Sequence, residues 1–273
     1  EGANRTVNRF EVFPSIHVGY TLPHEQKLTF AYSYRTNRPE LFYMEPYITY
    51  RDYYTAEIGN PDIRPEYIHS YELNYKKNIG EQVLQSSLFY RSRKDKIERL
   101  RVPYEAGVTL DSMANVGNDH ALGMELSGQF IVNKWWNLNV NGNVYYYKVV
   151  NNINSGGKEE TSTNYDITVN NLLRICKNTR IQLDGNFVGP SVTTQGRSDS
   201  FWFVNLAIRQ QWFGSNLQST LSFRDIFNSA RYKNDITTPN LESVTHIRPK
   251  FPVITLSISY TFNPVSYTHL RAH

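Results

Sequence analysis

The chain has 273 residues, a formal net charge of +4, 40% hydrophobic and 14% aromatic residues, and a mean hydropathy of −0.53. That length allows a large core, but no apolar run approaches the ~20 residues a spanning helix needs, which excludes a helical membrane protein and leaves a β-barrel open. The basic residues are scattered apart from Arg91, Arg93, Lys94 and Lys96, so the charge carries no nucleic-acid footprint.

In chain order, apolar residues alternate with polar or small ones in eleven segments, predicted as strands at 11–21, 27–36, 67–77, 82–92, 120–131, 136–148, 163–174, 179–188, 201–212, 217–227 and 252–262. In the second, Leu28, Phe30, Tyr32 and Tyr34 oppose Thr29, Ala31, Ser33 and Arg35. In the fifth, Leu122, Met124 and Leu126 oppose Gly123, Glu125 and Ser127. In the sixth, Leu138, Val140, Val144 and Tyr146 oppose Asn139, Asn141 and Asn143. In the last, Ile254, Leu256, Ile258, Tyr260 and Phe262 oppose Thr255, Ser257, Ser259 and Thr261, which assigns Ile258 to lipid near mid-membrane and Ser257 to the lumen. Faces carrying Asn and Glu would lack partners inside a dry sandwich, whereas water in a wide lumen satisfies them.

The connections alternate as well. Leu22–Gln26, Asn78–Glu81 and Phe213–Asn216 are tight turns, while 37–66, 93–119, 149–162, 189–200 and 228–251 are long and rich in Gly, Pro, Asn, Asp and Ser. Tight periplasmic turns and long outward loops are the mark of an outer-membrane barrel. Trp135, Trp136, Trp202 and Trp212 fall at strand ends, where aromatic rings meet the two interfaces. The expected fold is therefore all-β, a transmembrane antiparallel up-and-down β-barrel. The first strand descends toward the periplasm and so does the eleventh, whereas bacterial single-chain barrels have even strand numbers. The expectation is a C-terminal part whose other strands lie upstream.

Several motifs then point the same way: Tyr34-Arg35-Thr36-Asn37-Arg38-Pro39, Gly59-Asn60-Pro61-Asp62-Ile63-Arg64-Pro65-Glu66, Asn115-Val116-Gly117-Asn118, Arg224-Asp225-Ile226-Phe227-Asn228, and the closing Ser259-Tyr260-Thr261-Phe262-Asn263. In this order they resemble the barrel of TonB-dependent outer-membrane receptors from Bacteroidetes-type bacteria. The resemblance implies about 11 strands of a 22-stranded barrel, an upstream plug, and import of a scarce nutrient such as a glycan, peptide or siderophore. It implies as partners the outer-membrane lipid, the TonB complex reached through the plug region, and in some relatives a lipoprotein lid. On this reading residues 1–9 end an upstream extracellular loop, 10–263 form the C-terminal half of the barrel, and 264–273 are a non-native tail resembling a translated sequencing adapter.

No metal-binding, phosphate-binding or nucleophile motif is present, so neither catalytic residues, a metal nor a cofactor is expected. His17, His24, His69, His120 and His246 are dispersed, and Cys176 sits alone in a predicted turn. Glu72 and Glu125 point lumenward by register, within possible reach of Arg35 or Arg91. The loop 37–66 gathers Tyr43, Tyr47, Tyr50, Tyr53 and Tyr54 around Glu40, Glu45, Arg51 and Asp52, a surface suited to glycans, peptides or flat ligands. Alternatives are a passive or structural outer-membrane barrel without TonB coupling and, more distantly, a soluble carbohydrate-binding β-protein.

Overall fold

A computed structural model describes residues 10–152, 158–213, 216–250 and 252–262. Its strands are β1 (Ser15–Leu22), β2 (Gln26–Asn37), β3 (Thr49–Asp52), β4 (Thr55–Ile58), β5 (Glu66–Ile79), β6 (Gln82–Glu105), β7 (Val108–Asn133), β8 (Trp136–Asn151) and β9 (Lys158–Arg174). They continue as β10 (Thr179–Val188), β11 (Ser191–Val192), β12 (Gly196–Ser198), β13 (Phe201–Trp212), β14 (Leu217–Arg224), β15 (Tyr232–Thr238), β16 (Leu241–Ile247) and β17 (Val253–Tyr260). Eleven of them follow one another in a single meander, β1-β2-β5-β6-β7-β8-β9-β10-β13-β14-β17, with every neighbouring pair antiparallel. These are the eleven segments the alternation marks. Among the described residues β1 and β17 each keep one unpaired edge, so the sheet is an open arc. The tail 264–273 and the segment 1–9 lie outside the described residues.

The register aligns the alternation across strands. Phe30, Leu73, Leu88, Met124, Val144 and Tyr165 stand directly opposite one another in turn, forming one transverse row on the apolar face. That face stays open to its surroundings, with Leu88 at 52% and Leu256 at 62% exposure, because its solvent is hydrocarbon and burial against protein is not needed. The opposite face carries Asn74, Ser87, Glu125, Asn143 and Asp166 in the same way. Gly123 on that face lies between Phe89 and Tyr145, whose rings close over it with centroids 6.1 Å apart. A Cβ there would sit 2.3 Å from the Cβ of Tyr145, so only glycine lets the rings meet. The faces of Ile258 and Ser257 are as expected, but the depth is corrected: Ile258 pairs with Ser219, two steps of the ladder from the Leu217–Tyr260 end, so it sits near the periplasmic rim.

The outward connections are more ordered than expected. The segment 93–119 is no loop: β6 and β7 run on past the membrane as one hairpin closed by Ala106 and Gly107, the latter at φ +78°. Alternation hides this because register shifts between Arg93 and Ile97 break the period-two phase. The 37–66 connection holds the β3–β4 hairpin, whose β4 adds to β7 in parallel. Those at 189–200 and 228–251 together build a separate four-stranded sheet, β11-β12-β15-β16.

At the other end the turns are tight, and Trp135, Trp136 and Trp212 lie there, while Trp202 lies near the outward end of β13. The Trp136 Nε1–H donates to Asn171 Oδ1 at 3.1 Å and the Trp212 Nε1–H to Ser219 Oγ at 3.0 Å. Cys176 is exposed in the turn between β9 and β10, and the Thr179 hydroxyl 3.0 Å away holds its thiol below the ordinary range. Since tight turns of such barrels face the periplasm, this thiol is expected there. Intact cells should therefore leave Cys176 unlabelled by a maleimide too large for outer-membrane pores, and permeabilised cells should label it. Equal labelling of intact cells would invert the sheet.

Candidate functional site

The outward end of the sheet is built on asparagines and buried acids. Where β6 and β7 leave the membrane, the Asn115 Oδ1 accepts the Arg64 N–H at 2.8 Å, and its Nδ2 donates to the Arg64 and Asp95 carbonyls at 2.9 and 2.7 Å. Asn60 Nδ2 donates to the Met113 carbonyl at 3.1 Å. Gly117, at φ +141°, lies so close to the Val150 carbonyl that any side chain would clash. Beside this staple Glu66 is 2% exposed. Its carboxylate accepts from Asn37 Nδ2 at 2.7 Å and the Ile97 N–H at 2.6 Å, and faces the Arg93 guanidinium at 3.3 Å. The chain of contacts continues along the lumen-facing row: Tyr147 donates to Asp119 at 2.9 Å, and Lys96 donates to the Tyr147 hydroxyl at 2.6 Å.

A strap from the β10–β13 connection is fastened onto this row. Glu98 accepts the Thr194 N–H and hydroxyl at 3.3 and 2.9 Å, and Asn151 Nδ2 donates to the Thr194 carbonyl at 3.1 Å. The Gln195 amide imitates a strand, accepting the Arg101 N–H at 2.8 Å and donating to the Arg101 carbonyl at 3.0 Å. Residues 94 to 96 positions apart in sequence thus form one wall.

Above the wall lies an arginine cluster. Asp111, 2% exposed, takes a two-point bond from Arg101 at 2.6 and 2.8 Å. This pairing, more than the burial that opposes it, holds the Arg101 guanidinium above its ordinary value. Arg51 and Arg99 approach the same carboxylate at 3.6 Å each, and both bond Glu57, at 2.9 and 2.8 Å. Three guanidinium groups share the Asp111 and Glu57 carboxylates, and the charge of Asp52 acts on Arg51 and Arg101 from nearby. The Arg51 and Arg99 side chains stay 46% and 44% exposed, so the cluster can meet a polar or anionic ligand from outside.

The five tyrosines are not one cluster. Tyr43 and Tyr47 line a small cavity with Glu57, Arg99 and Met113. Tyr50 lies on β3, where desolvation and then the Glu105 carboxylate hold its phenol above the ordinary value. Tyr53 and Tyr54 occupy the hairpin tip at 92% and 72% exposure, on a turn ordered by the Tyr54 N–H bonding Asp52 at 2.8 Å. Sequence reading placed Arg51 in the candidate loop but missed Arg99, Arg101 and the Gln195 strap, since these join it through pairings distant in the chain. Glu72 and Glu125 are lumenward by register, but among the described residues no ion pair joins either to Arg35 or Arg91; Glu72 accepts the Ser70 hydroxyl at 3.1 Å. Among the described residues no group of acids, His or Cys could hold a metal ion.

The outer membrane protein beta-barrel family matches residues 1–260. The chain belongs to that family. Its meander is outer-membrane barrel, which agrees with the resemblance read from the motifs and places the chain in the outer membrane. Solved structures with the same fold include the siderophore receptor PirA of Pseudomonas aeruginosa, at 14% identity and TM-score 0.59, covering 80% of this chain and 39% of that one. The ferric yersiniabactin uptake receptor FyuA of Yersinia pestis aligns at 17% identity and TM-score 0.58, covering 89% of this chain and 36% of that one. The FrpB iron transporter of Neisseria meningitidis aligns at 15% and 0.56, covering 92% and 39%. The chain spans less than two-fifths of the length of each of these three receptors. No curated protein matches.

Proposed function

We propose that this family member is the barrel portion of a TonB-dependent outer-membrane receptor that takes up a scarce nutrient. The observation that carries the reading is the outward wall itself, where buried ion pairs and side-chain-to-backbone bonds fix loops drawn from distant parts of the chain. A passive pore gains nothing from holding such loops rigid, whereas a ligand site needs its contacts in place before the ligand arrives. The receptors with the same fold, which are named for siderophores, yersiniabactin and iron, favour a compact polar ligand. Arg51 and Arg99 would meet its anionic or hydroxyl edges, while Tyr43, Tyr47, Tyr50, Tyr53 and Tyr54 would supply the aromatic contacts. Capture by the outward loops would precede a rearrangement of the plug driven from the periplasm, with no bond made or broken. The test compares a deletion strain with its parent for uptake of a panel of ferric siderophores, oligosaccharides and peptides, with and without a protonophore. The reading requires one ligand whose uptake needs both the gene and the proton gradient. Gene-dependent uptake that ignores the protonophore would make the protein a passive barrel.

A further inference from the structure

The lipid-facing surface of β2, β5–β9 and β13 carries an ordered gradient that the transport reading does not use. Counted up each strand from its own tight turn, Tyr34, Tyr71, Tyr90, Tyr146, Tyr165 and Trp202 all stand about eight to ten residues from the periplasmic end. At about 3.3 Å per residue and a tilt near 40°, ten residues climb roughly 25 Å, the height of the apolar band of such barrels. These rings are therefore the outer interfacial girdle. One further step outward, about ten to thirteen residues up, the same face turns basic with His69, Lys94, His120 and Lys148.

This step is built. The Tyr32 hydroxyl meets His69 Nδ1 at 3.1 Å and the Tyr90 hydroxyl meets His120 Nδ1 at 3.0 Å. Both imidazoles stack against their tyrosines, with centroids 6.2 Å apart in each pair. The pairs repeat one diagonal, a tyrosine on one strand and a histidine on the next, set one rung closer to the outside. Because the phenol occupies Nδ1, the polar atom left to each ring is Nε2, which has no hydrogen-bond partner among the described residues. Ser92 lies directly between His69 and His120 in the ladder, and Lys94 follows it on β6, exposed and without an ion-pair partner among the described residues. The nearby acids are engaged: Glu159 lies 2.7 Å from Lys148, and Glu11 takes the Tyr67 hydroxyl and faces Arg38 at 3.8 Å.

We infer that this shelf, formed by His69, Ser92, Lys94 and His120 above the tyrosine girdle, binds the phosphate groups of an anionic lipid of the outer leaflet. Depth and charge together select that occupant. The girdle fixes the chains of the lipid below, and the only groups of a lipid found one rung further out are those of its head. Imidazole, hydroxyl and ammonium donors on one face suit phosphate oxygens, and each basic residue at such depth favours an anionic surface.

The test uses the protein extracted from outer membranes in mild detergent and titrated with a phosphorylated outer-leaflet glycolipid, or with the same lipid after removal of its phosphates. Native mass spectrometry counts the lipids retained. The phosphorylated form should be held and the dephosphorylated form released. Lys94→Ala combined with His120→Ala should lower retention of the former roughly tenfold. Retained heat-modifiable mobility on a gel shows that this variant is folded, and Lys27→Ala on the lumen side serves as the charge control that leaves retention unchanged. Equal retention of both lipids, or of one lipid by both proteins, would overturn the proposal and leave an aromatic girdle without a headgroup site.

Discussion

Leu88→Arg should destabilise the folded protein by about 2–4 kcal/mol, while Ser87→Arg should be tolerated. The two residues are adjacent, so the difference isolates the face on which a charge is placed. Leu88 stands opposite Leu73 and Met124, about six residues above the tight turn after β5, which puts it near the middle of the apolar band. An arginine there must bring a guanidinium into hydrocarbon or thin the bilayer around it. Ser87 stands between Asn74 and Glu125 on the wet face, where the new guanidinium meets water and a carboxylate. Urea titration of the protein folded into vesicles reads both values. Equal cost at the two sites would mean that the apolar face does not meet lipid, and would remove the membrane assignment along with the register. The same substitution at Ile258 is the weaker probe, because its place beside the Leu217–Tyr260 end lets the side chain reach the periplasmic headgroups.

What the sequence shows plainly is set by lipid. A strand whose two faces see hydrocarbon and water must alternate, so all eleven crossings can be read from periodicity, as can the indoles that end them. What it hides begins where lipid stops. Beyond the membrane both faces of β6 and β7 meet water or protein, and the bulges at Arg93–Ile97 shift the phase, so an extended hairpin looks like a loop. The motifs that signal the family have a matching explanation. Asn60, Asn115 and Gly117 are fasteners at that exit point, and Asp225, 1% exposed at φ +48°, turns the chain after β14 by accepting the Ser229 and Ala230 N–H groups at 3.0 and 2.9 Å. They are legible because each must close one specific turn. Asn60 reaches the cavity lined by Tyr43 and Tyr47 only through the backbone carbonyls of Tyr43 and Met113, which is why motif reading identifies the barrel and leaves the ligand open.

The arginine cluster decides how the outward wall responds to damage, and Asp111→Ala should show it. Removing that carboxylate takes away the two-point partner of Arg101 and leaves Arg51 and Arg99 drawn toward Glu57 beside a third, unpaired guanidinium. Breaking a buried pair from one side costs about 3–5 kcal/mol, and the value here belongs at the low end, since Arg51 and Arg99 are nearly half exposed and can turn to water. The loss should also stay local. The spanning ladder of β5–β8 makes its own hydrogen bonds in a medium that offers no competitor, whereas Arg99–Glu105 and the β3–β4 hairpin depend on the cluster and on Gln195. Hydrogen exchange should therefore accelerate through Thr49–Ile58 and Arg99–Asp111 by roughly a hundredfold, with exchange in Leu73–Ile79 and Leu122–Asn133 unchanged. Asp111→Asn keeps one acceptor and should fall between the two. Exchange that rises throughout the sheet would tie the vestibule to barrel stability. Exchange that rises nowhere would mean that the Gln195 strap alone holds the wall. In the expected case, the local opening should weaken ligand capture through lost geometry, although Asp111 itself is too buried to touch the ligand.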